Sequence, residues 1–349
     1  MIKSNYKRGA VIGKFLPPHL GHLTMIKFAE EMMDEVTVVV EEIQGEKTKA
    51  EERAKWLREE VGKKVTVKFT GSTMPQNPQE NGFWETWAKT MNTLCDNPTH
   101  LIAGADYGKR LAAEMEAKWI PFNLNRTLVP ISGTEIRKDI DKNWKYLIKG
   151  AKEKYVKRIL LIGAESCGKT TLCKKLARKH NTIWVPEYAE EVLKQRGTIE
   201  QEDLEEIIRG QKAYEKLGAR NQFNKSIIFC DSSAITTCVW AEIAWGINLK
   251  DKLGINLKEE CGKYEKIFLI NHRGCPYVKD KHRELQLMDI EKRSIFFKKF
   301  EEELQSNSIQ YAVLNTKGTG KLHQMEEEIE NCLNRLSKKE VEKEAFIIN

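Results

Sequence analysis

Gly163-Ala164-Glu165-Ser166-Cys167-Gly168-Lys169-Thr170 completes a G-x-x-x-x-G-K-[ST] pattern near the middle of the chain. This pattern binds phosphate in one setting only. A buried strand must end in a tight turn and a helix must leave it, so that main-chain N–H groups converge on an anion. Arg158 to Ile162 has the composition of that strand, and Thr171 to Arg178 that of the helix. Gly163 and Gly168 provide backbone without Cβ atoms. Lys169 is placed to neutralise β- and γ-phosphates, and Thr170 to offer its hydroxyl to Mg2+. Glu165, Ser166, Cys167 and Thr171 join this ATP-binding set by their place in the loop and first turn.

The surrounding pattern predicts an open parallel sheet. Strands at 158–162, 182–186, 226–230, 266–270 and 310–314 alternate with helices at 169–179, 189–220, 234–244 and 287–305. Earlier residues alternate in the same way. Strands at 8–15, 36–40, 65–69 and 100–103 are separated by helices at 19–33, 49–61 and 83–95, with a further helix expected at 107–119. Such alternation means α/β domains with helices on both sheet faces. A lysine-rich amphipathic stretch, 138–156, reads as the connector, which divides the chain into domains 1–150 and 151–337 and a frayed tail at 338–349.

Two carboxylates end strands of the second domain. Asp231 follows Ile227-Ile228-Phe229-Cys230, at the sheet edge where ligands collect. It can hold magnesium, act as base toward an accepting hydroxyl, or cap the following helix. Glu187 follows Ile183-Trp184-Val185-Pro186 and competes for the base role. Arg273, Lys279, Lys281, His282 and Arg283 cluster after the fourth strand, where transferring phosphate needs cations. Thr316-Lys317-Gly318-Thr319-Gly320, after the last strand, is a weaker candidate for bordering adenine.

A second phosphate motif opens the chain. Gly13-Lys14-Phe15-Leu16-Pro17-Pro18-His19-Leu20-Gly21-His22 reads as strand, stiff turn and helix start. His19 and His22, one turn apart, can bracket a phosphate at a helix N-terminus. Ile131-Ser132-Gly133-Thr134-Glu135-Ile136-Arg137 supplies a capped helix, with Arg137 in reach of β- and γ-phosphates. Two nucleotide sites in one chain suggest two consecutive reactions.

The bulk numbers restrict the setting. The net charge of +7 suits anionic small substrates, and basic residues alternate with acidic ones, so no nucleic-acid stripe stands out. The longest apolar runs are strand-length, and the first residues lack a secretory core. Eight cysteines form neither C-x-x-C nor zinc spacings, which reads as free thiols and a cytoplasmic protein.

G-K-F-x-P-P-H-x-G-H with I-S-G-T-E-I-R resembles the nucleotidyltransferase superfamily, in its adenylyltransferase branch. The P-loop, Pro186-Glu187-Tyr188-Ala189, Asp231 and Tyr277-Val278-Lys279-Asp280-Lys281-His282-Arg283 resemble a nicotinamide riboside kinase. In this order the pair resembles the bifunctional NadR-type family over roughly residues 8–335. The resemblance implies an N-terminal Rossmann-like nucleotidyltransferase sheet and a C-terminal P-loop kinase sheet. It implies NAD salvage from nicotinamide riboside through nicotinamide mononucleotide, with ATP and magnesium. It places Gly13, Lys14, Phe15, His19, His22, Ser132, Thr134 and Arg137 on one ATP, and Trp84 or Trp87, within Asn81-Gly82-Phe83-Trp84-Glu85-Thr86-Trp87, under the cationic nicotinamide ring. Asp106, in Gly104-Ala105-Asp106-Tyr107-Gly108, and Tyr188 are further substrate contacts on this basis. Enteric members carry an N-terminal helix-turn-helix domain. This chain starts at the transferase strand, so DNA binding is not expected, and homo-oligomerisation is left open. Asp280-Lys281-His282-Arg283 is more basic than the family's D-G-x-R. The alternatives are an adenylyltransferase and kinase for another vitamin or nucleoside, or a nucleotide-sensing regulator.

Overall fold

The structure, a computed structural model, describes residues 6–104, 106–222, 224–273, 275, 290–315 and 320–347. Two compact units divide the chain, Met1–Tyr155 and Val156–Asn349.

The first unit holds an all-parallel sheet ordered β3-β2-β1-β4-β5. Its strands are β1 (Arg8–Gly13), β2 (Glu35–Val40), β3 (Val65–Phe69), β4 (His100–Ala103) and β5 (Lys118–Pro121). Its helices are α1 (Leu20–Met32), α2 (Ala50–Arg58), α3 (Phe83–Leu94), α4 (Tyr107–Glu114), α5 (Gly133–Lys138), α6 (Ile140–Asn143) and α7 (Lys149–Tyr155). Val38, Val39 and Val40 are fully buried. Both faces of β2 are therefore covered, as a central parallel strand requires. Ala10, Ile12, Val39, Met91 and Leu101 belong to one apolar cluster under α3 and α4.

One element departs from the sequence reading. The helix expected to reach Trp119 stops at Glu114, and Glu116 takes φ +55°. The chain then pairs beside β4, with His100 opposite Lys118 and Ala103 opposite Pro121. A four-residue strand behind a run of helix formers has no alternation long enough to register. Gly108 matters here, since a Cβ on it would lie 2.6 Å from Ala103 Cβ and 2.8 Å from Trp119 Nε1.

The second unit repeats the scheme with sheet order β10-β9-β6-β8-β7, again all parallel. Its strands are β6 (Lys157–Gly163), β7 (Trp184–Val185), β8 (Ile227–Asp231), β9 (Lys266–Ile270) and β10 (Ala312–Leu314). The helices are α8 (Lys169–Lys179), α9 (Tyr188–Arg196), α10 (Leu204–Asn221), α11 (Ala234–Trp245), α12 (Leu249–Leu253), α13 (Leu257–Cys261), α14 (Ile290–Ser306) and α15 (Lys321–Ile347). The last runs through the segment for which the sequence suggests a frayed end. Gly197, at φ +82°, ends α9, and α10 follows within the stretch where helices are expected.

In each sheet the strand order reverses beside the first strand, β1 between β2 and β4, β6 between β8 and β9. Ligands of open α/β sheets bind outside the carboxyl ends at such switch points. Both phosphate motifs leave the sheet there. Among the described residues no helix is long and apolar enough to cross a membrane.

Candidate active sites

In the first unit the turn after β1 is held from beneath. Arg53 of α2, with no exposed surface, donates from Nε to Thr48 O at 3.0 Å, from Nη2 to Glu41 O at 3.0 Å, and from Nη1 to Lys14 O. It fixes the main chain where β1 and β2 end. Phe15 takes φ +46° and buries its ring 4.8 Å from that of His22.

His19 is the N-cap of α1, one residue before the helix proper. Its Nδ1 accepts the Gly21 N–H at 3.1 Å. An accepting Nδ1 leaves the ring proton on Nε2, so His19 presents a neutral donor. Burial, then the charge of Arg126, lowers its pKa to about 4. The His22 ring stacks on it with centroids 3.7 Å apart at 26°. Burial first, then His19 and Arg126, push His22 well below the usual histidine range, and its buried Nδ1 has no hydrogen-bond partner among the described residues. The two imidazoles are thus a neutral stacked pair at pH 7.

Ser132 caps α5, accepting the Glu135 N–H at 3.2 Å and donating to Glu135 Oε2 at 2.6 Å. Arg137 donates to Leu16 O and, at 3.2 Å, to Thr134 Oγ1. It therefore ties the second motif to the first. Gly133 allows that approach, since a Cβ there would sit 2.6 Å from Leu16 O.

The two motifs border one cavity of about 520 Å3. Gly13, Lys14, His19, His22 and Ser132 line it, and Trp84 and Trp87 complete it. Trp87 is 3% exposed and donates Nε1–H to Pro75 O at 3.1 Å. Trp84 is half-buried, with the Arg110 guanidinium 4.6 Å from its ring centre. Phe15, Thr134, Arg137, Asn81 and Asp106 lie outside the lining, the last two exposed on their loops. Arg126, Glu41, Gln76 and Asn123 also line the cavity, although no motif announces them. Burial raises the Glu41 pKa against the pull of Lys14 and Arg53.

In the second unit Gly163 (φ +150°), Ser166 (φ +55°) and Gly168 (φ +95°) curl the chain between β6 and α8. A Cβ on Gly163 would lie 2.8 Å from Ile270 O. Lys169 Nζ donates to Gly163 O at 3.0 Å and Ala164 O at 3.1 Å. Burial opposes its charge, but Cys167, Glu187, Asp231 and Glu165 more than offset this and raise its pKa. Burial raises the Glu187 pKa, and Asp231 adds to this while Lys169 works against it. Asp231 is 1% exposed at the end of β8. Ser233 occupies the N-cap position of α11, so Asp231 is not the cap.

The cavity beside this loop measures about 330 Å3. Glu165, Ser166, Gly168, Lys169, Thr170 and Thr171 form one end, and Glu187 stands beside them. Thr236, Trp240, Ile207, Phe296 and Phe300 also line the cavity, and the sequence reading missed them. Thr236 Oγ1 is buried with no partner among the described residues. The signal was α11 itself, buried along most of its length yet carrying Thr236 and Thr237. Cys167, Asp231, Tyr188 and Arg273 lie outside the lining. Tyr188 packs edge-on against Tyr214 at 5.1 Å, and Arg273 is exposed. Arg283, with Lys279, Lys281, His282, Thr316 to Thr319 and Ala105, lies outside the described residues.

Two family models match the chain, and their matches overlap over residues 158–227. A cytidylyltransferase-like family model matches residues 10–227, more than half of the chain, and an AAA domain model matches residues 158–321. The chain is 22% identical over 252 residues to the trifunctional NAD biosynthesis/regulator protein NadR of Salmonella typhimurium, covering 66% of this chain. It spans 61% of that protein's length. Two crystal structures share the fold with a TM-score of 0.70 and 21% identity. One is a NadR protein in complex with NR, covering 92% of this chain and 95% of the other. The second is a NadR protein in complex with NAD and AMP-PNP, covering 93% and 96%. The chain belongs to the cytidylyltransferase-like family.

Proposed function

We propose that this chain makes NAD from nicotinamide riboside in two ATP-dependent steps. In the second unit the ribose 5′-hydroxyl attacks the γ-phosphorus of ATP. The new O–P bond replaces the bond to the β,γ-bridging oxygen, ADP leaves, and the hydroxyl proton passes to Glu187 or Asp231. In the first unit a phosphate oxygen of nicotinamide mononucleotide attacks the α-phosphorus of another ATP, and pyrophosphate leaves. The attacking phosphate is already ionised, so this step needs positioning and charge stabilisation and no protein nucleophile.

The observation that carries this reading is the pairing of two cavities. Each lies outside the switch point of its own sheet and is bordered by a helix-starting phosphate motif. The NAD biosynthesis role of the Salmonella relative supports the choice of substrate, as do the NR, NAD and AMP-PNP held by the similar structures.

Residues take roles accordingly. The His19 Nε2–H and Lys14 would hold phosphate oxygens, with Ser132, Gly13 and Arg126 around them. Arg137 and Thr134 keep the two motifs together. Arg110 already covers one face of Trp84, so the nicotinamide ring would stack on the other. In the kinase cavity Lys169 and the loop amides grip the triphosphate, while Thr236 and Trp240 receive the nucleoside. Magnesium, when bound, would shield the β- and γ-oxygens. The Thr170 hydroxyl and Asp231 carboxylate are the hard oxygen donors suited to it, and an ion that keeps most of its waters needs few protein ligands. Among the described residues no larger His, Cys, Asp or Glu cluster offers a metal cage.

Mass spectrometry of the products formed from ATP, magnesium and nicotinamide riboside tests the reading. The expected sequence is nicotinamide mononucleotide, then NAD with pyrophosphate. Turnover of riboflavin, pantetheine or deoxynucleosides in place of the riboside would overturn the substrate assignment.

A further inference from the structure

The convex side of the phosphate loop is braced by a buried arginine that plays no part in the scheme above. Arg293, on α14, is 4% exposed. Its Nη1 donates to Cys275 O at 3.0 Å, and its Nη2 lies 3.4 Å from His272 O and 3.5 Å from Ser166 O. Among the described residues it meets three main-chain carbonyls and no carboxylate, and its buried Nε has no partner. The chain it holds at Cys275 acts in turn on the next peptide of the loop, with Cys275 Sγ donating to Cys167 O at 3.7 Å.

Peptide geometry gives these contacts a direction. In a trans peptide the C=O and the following N–H point to opposite sides. Drawing the Ser166 carbonyl toward Arg293 turns the Cys167 N–H the other way. Drawing the Cys167 carbonyl toward Cys275 does the same for the Gly168 N–H. Ser166 and Gly168 line the cavity and Arg293 does not, which is the arrangement that this direction of the peptides requires. The guanidinium also polarises the peptide it binds, because a hydrogen bond from a charged donor is stronger than a neutral one.

We propose that Arg293, acting with Cys275, is a positioning residue for phosphoryl transfer that presets the amides of residues 167 and 168 for the triphosphate. The proposal rests on the kinase reading of the second unit. It accounts for a buried cation whose partners among the described residues are carbonyl oxygens. It also gives α14 two tasks, since Phe296 and Phe300 of the same helix line the cavity.

The test is a split of kinetic constants in the full chain. Arg293→Met should raise KM for ATP about tenfold and lower kcat, because a charged hydrogen bond of this kind carries about 1.5–3 kcal/mol. KM for nicotinamide riboside should stay within about twofold, since Arg293 does not line the acceptor cavity. Arg293→Lys, which keeps charge without the planar fork, should fall between. A wild-type KM for ATP in Arg293→Met, or equal rises for ATP and riboside, would overturn the proposal. Should Arg293→Met fail to fold, Cys275→Ala decides, with about a threefold rise in KM for ATP expected from one weak hydrogen bond and no rise counting against the brace. Equilibrium binding of ATP, taking the part lost in Lys169→Met, separates the two claims. Wild-type protein that binds ATP but phosphorylates no riboside sinks the kinase reading, and undiminished binding by Arg293→Met sinks the brace.

Discussion

Replacing Gly21 by alanine should disable adenylyl transfer while leaving the protein folded. The added Cβ would lie 3.0 Å from both Cε1 and Nδ1 of His19. Carbon contacts settle at about 3.5–4.0 Å, so the ring would have to retreat by roughly 0.5–1 Å. It has little room. His19 is 4% exposed, and the His22 ring is stacked against it at 3.7 Å. Retreat breaks the cap hydrogen bond to the Gly21 N–H, at about 1 kcal/mol. Alanine in place of glycine within a helix returns about 1 kcal/mol. The two terms nearly cancel, so the melting temperature should move little. The site does not escape, since a misplacement of about 1 Å in a catalytic constellation costs about 100-fold. The assay is kcat/KM for pyrophosphate release from ATP and nicotinamide mononucleotide, with riboside phosphorylation measured on the same sample. The expected result is roughly a 100-fold loss in the first and none in the second. A folded Gly21→Ala protein with wild-type adenylyl transfer would refute the role given to the His19 cap.

Two further outcomes follow from the charges. Because burial and Asp231 raise the Glu187 pKa, riboside phosphorylation should fall with acid well above the ordinary carboxylate range. Glu187→Gln should remove that limb of the pH–rate profile, and an unchanged profile would leave Asp231 as the base. His19 is held neutral, with its pKa lowered to about 4. The unfolded state therefore takes up the proton first, and stability is lost as pH falls from about 6.5 toward 4, by up to about 3 kcal/mol. His19→Gln, compared with wild type in thermal melts, should gain relative stability as pH drops through that window, and a constant difference would contradict the assignment.

Much of the architecture was legible because the strands of these sheets, central and edge alike, are short runs rich in apolar and β-branched residues. Val36 to Val40, Val65 to Phe69 and Lys266 to Ile270 became β2, β3 and β9 within a residue. The phosphate loop was legible because its backbone conformation demands glycine at two places, and both glycines take positive φ. β5 was not, because four residues behind helix formers carry no period. The sites were only half legible. Motifs name residues contiguous in sequence, whereas Arg53, Arg126, Glu41 and Thr236 reach their places through tertiary packing. The histidine motif read as two imidazoles bracketing a phosphate at a helix N-terminus, and what it did not announce is that His19 is the neutral cap of that helix with the His22 ring stacked on it. Arg137 is a comparable case, since in this structure its donors go to Leu16 and Thr134 and hold the motifs together.

The central claim is that each half of the polypeptide does its own chemistry on its own ATP. Product masses from nicotinamide riboside, ATP and magnesium, compared among wild type, Lys169→Met and His19→Ala, test it most directly. Wild type should deliver NAD. Lys169→Met should leave the riboside untouched yet convert added mononucleotide to NAD, and His19→Ala should stop at the mononucleotide. Loss of both conversions in either folded variant would contradict the account.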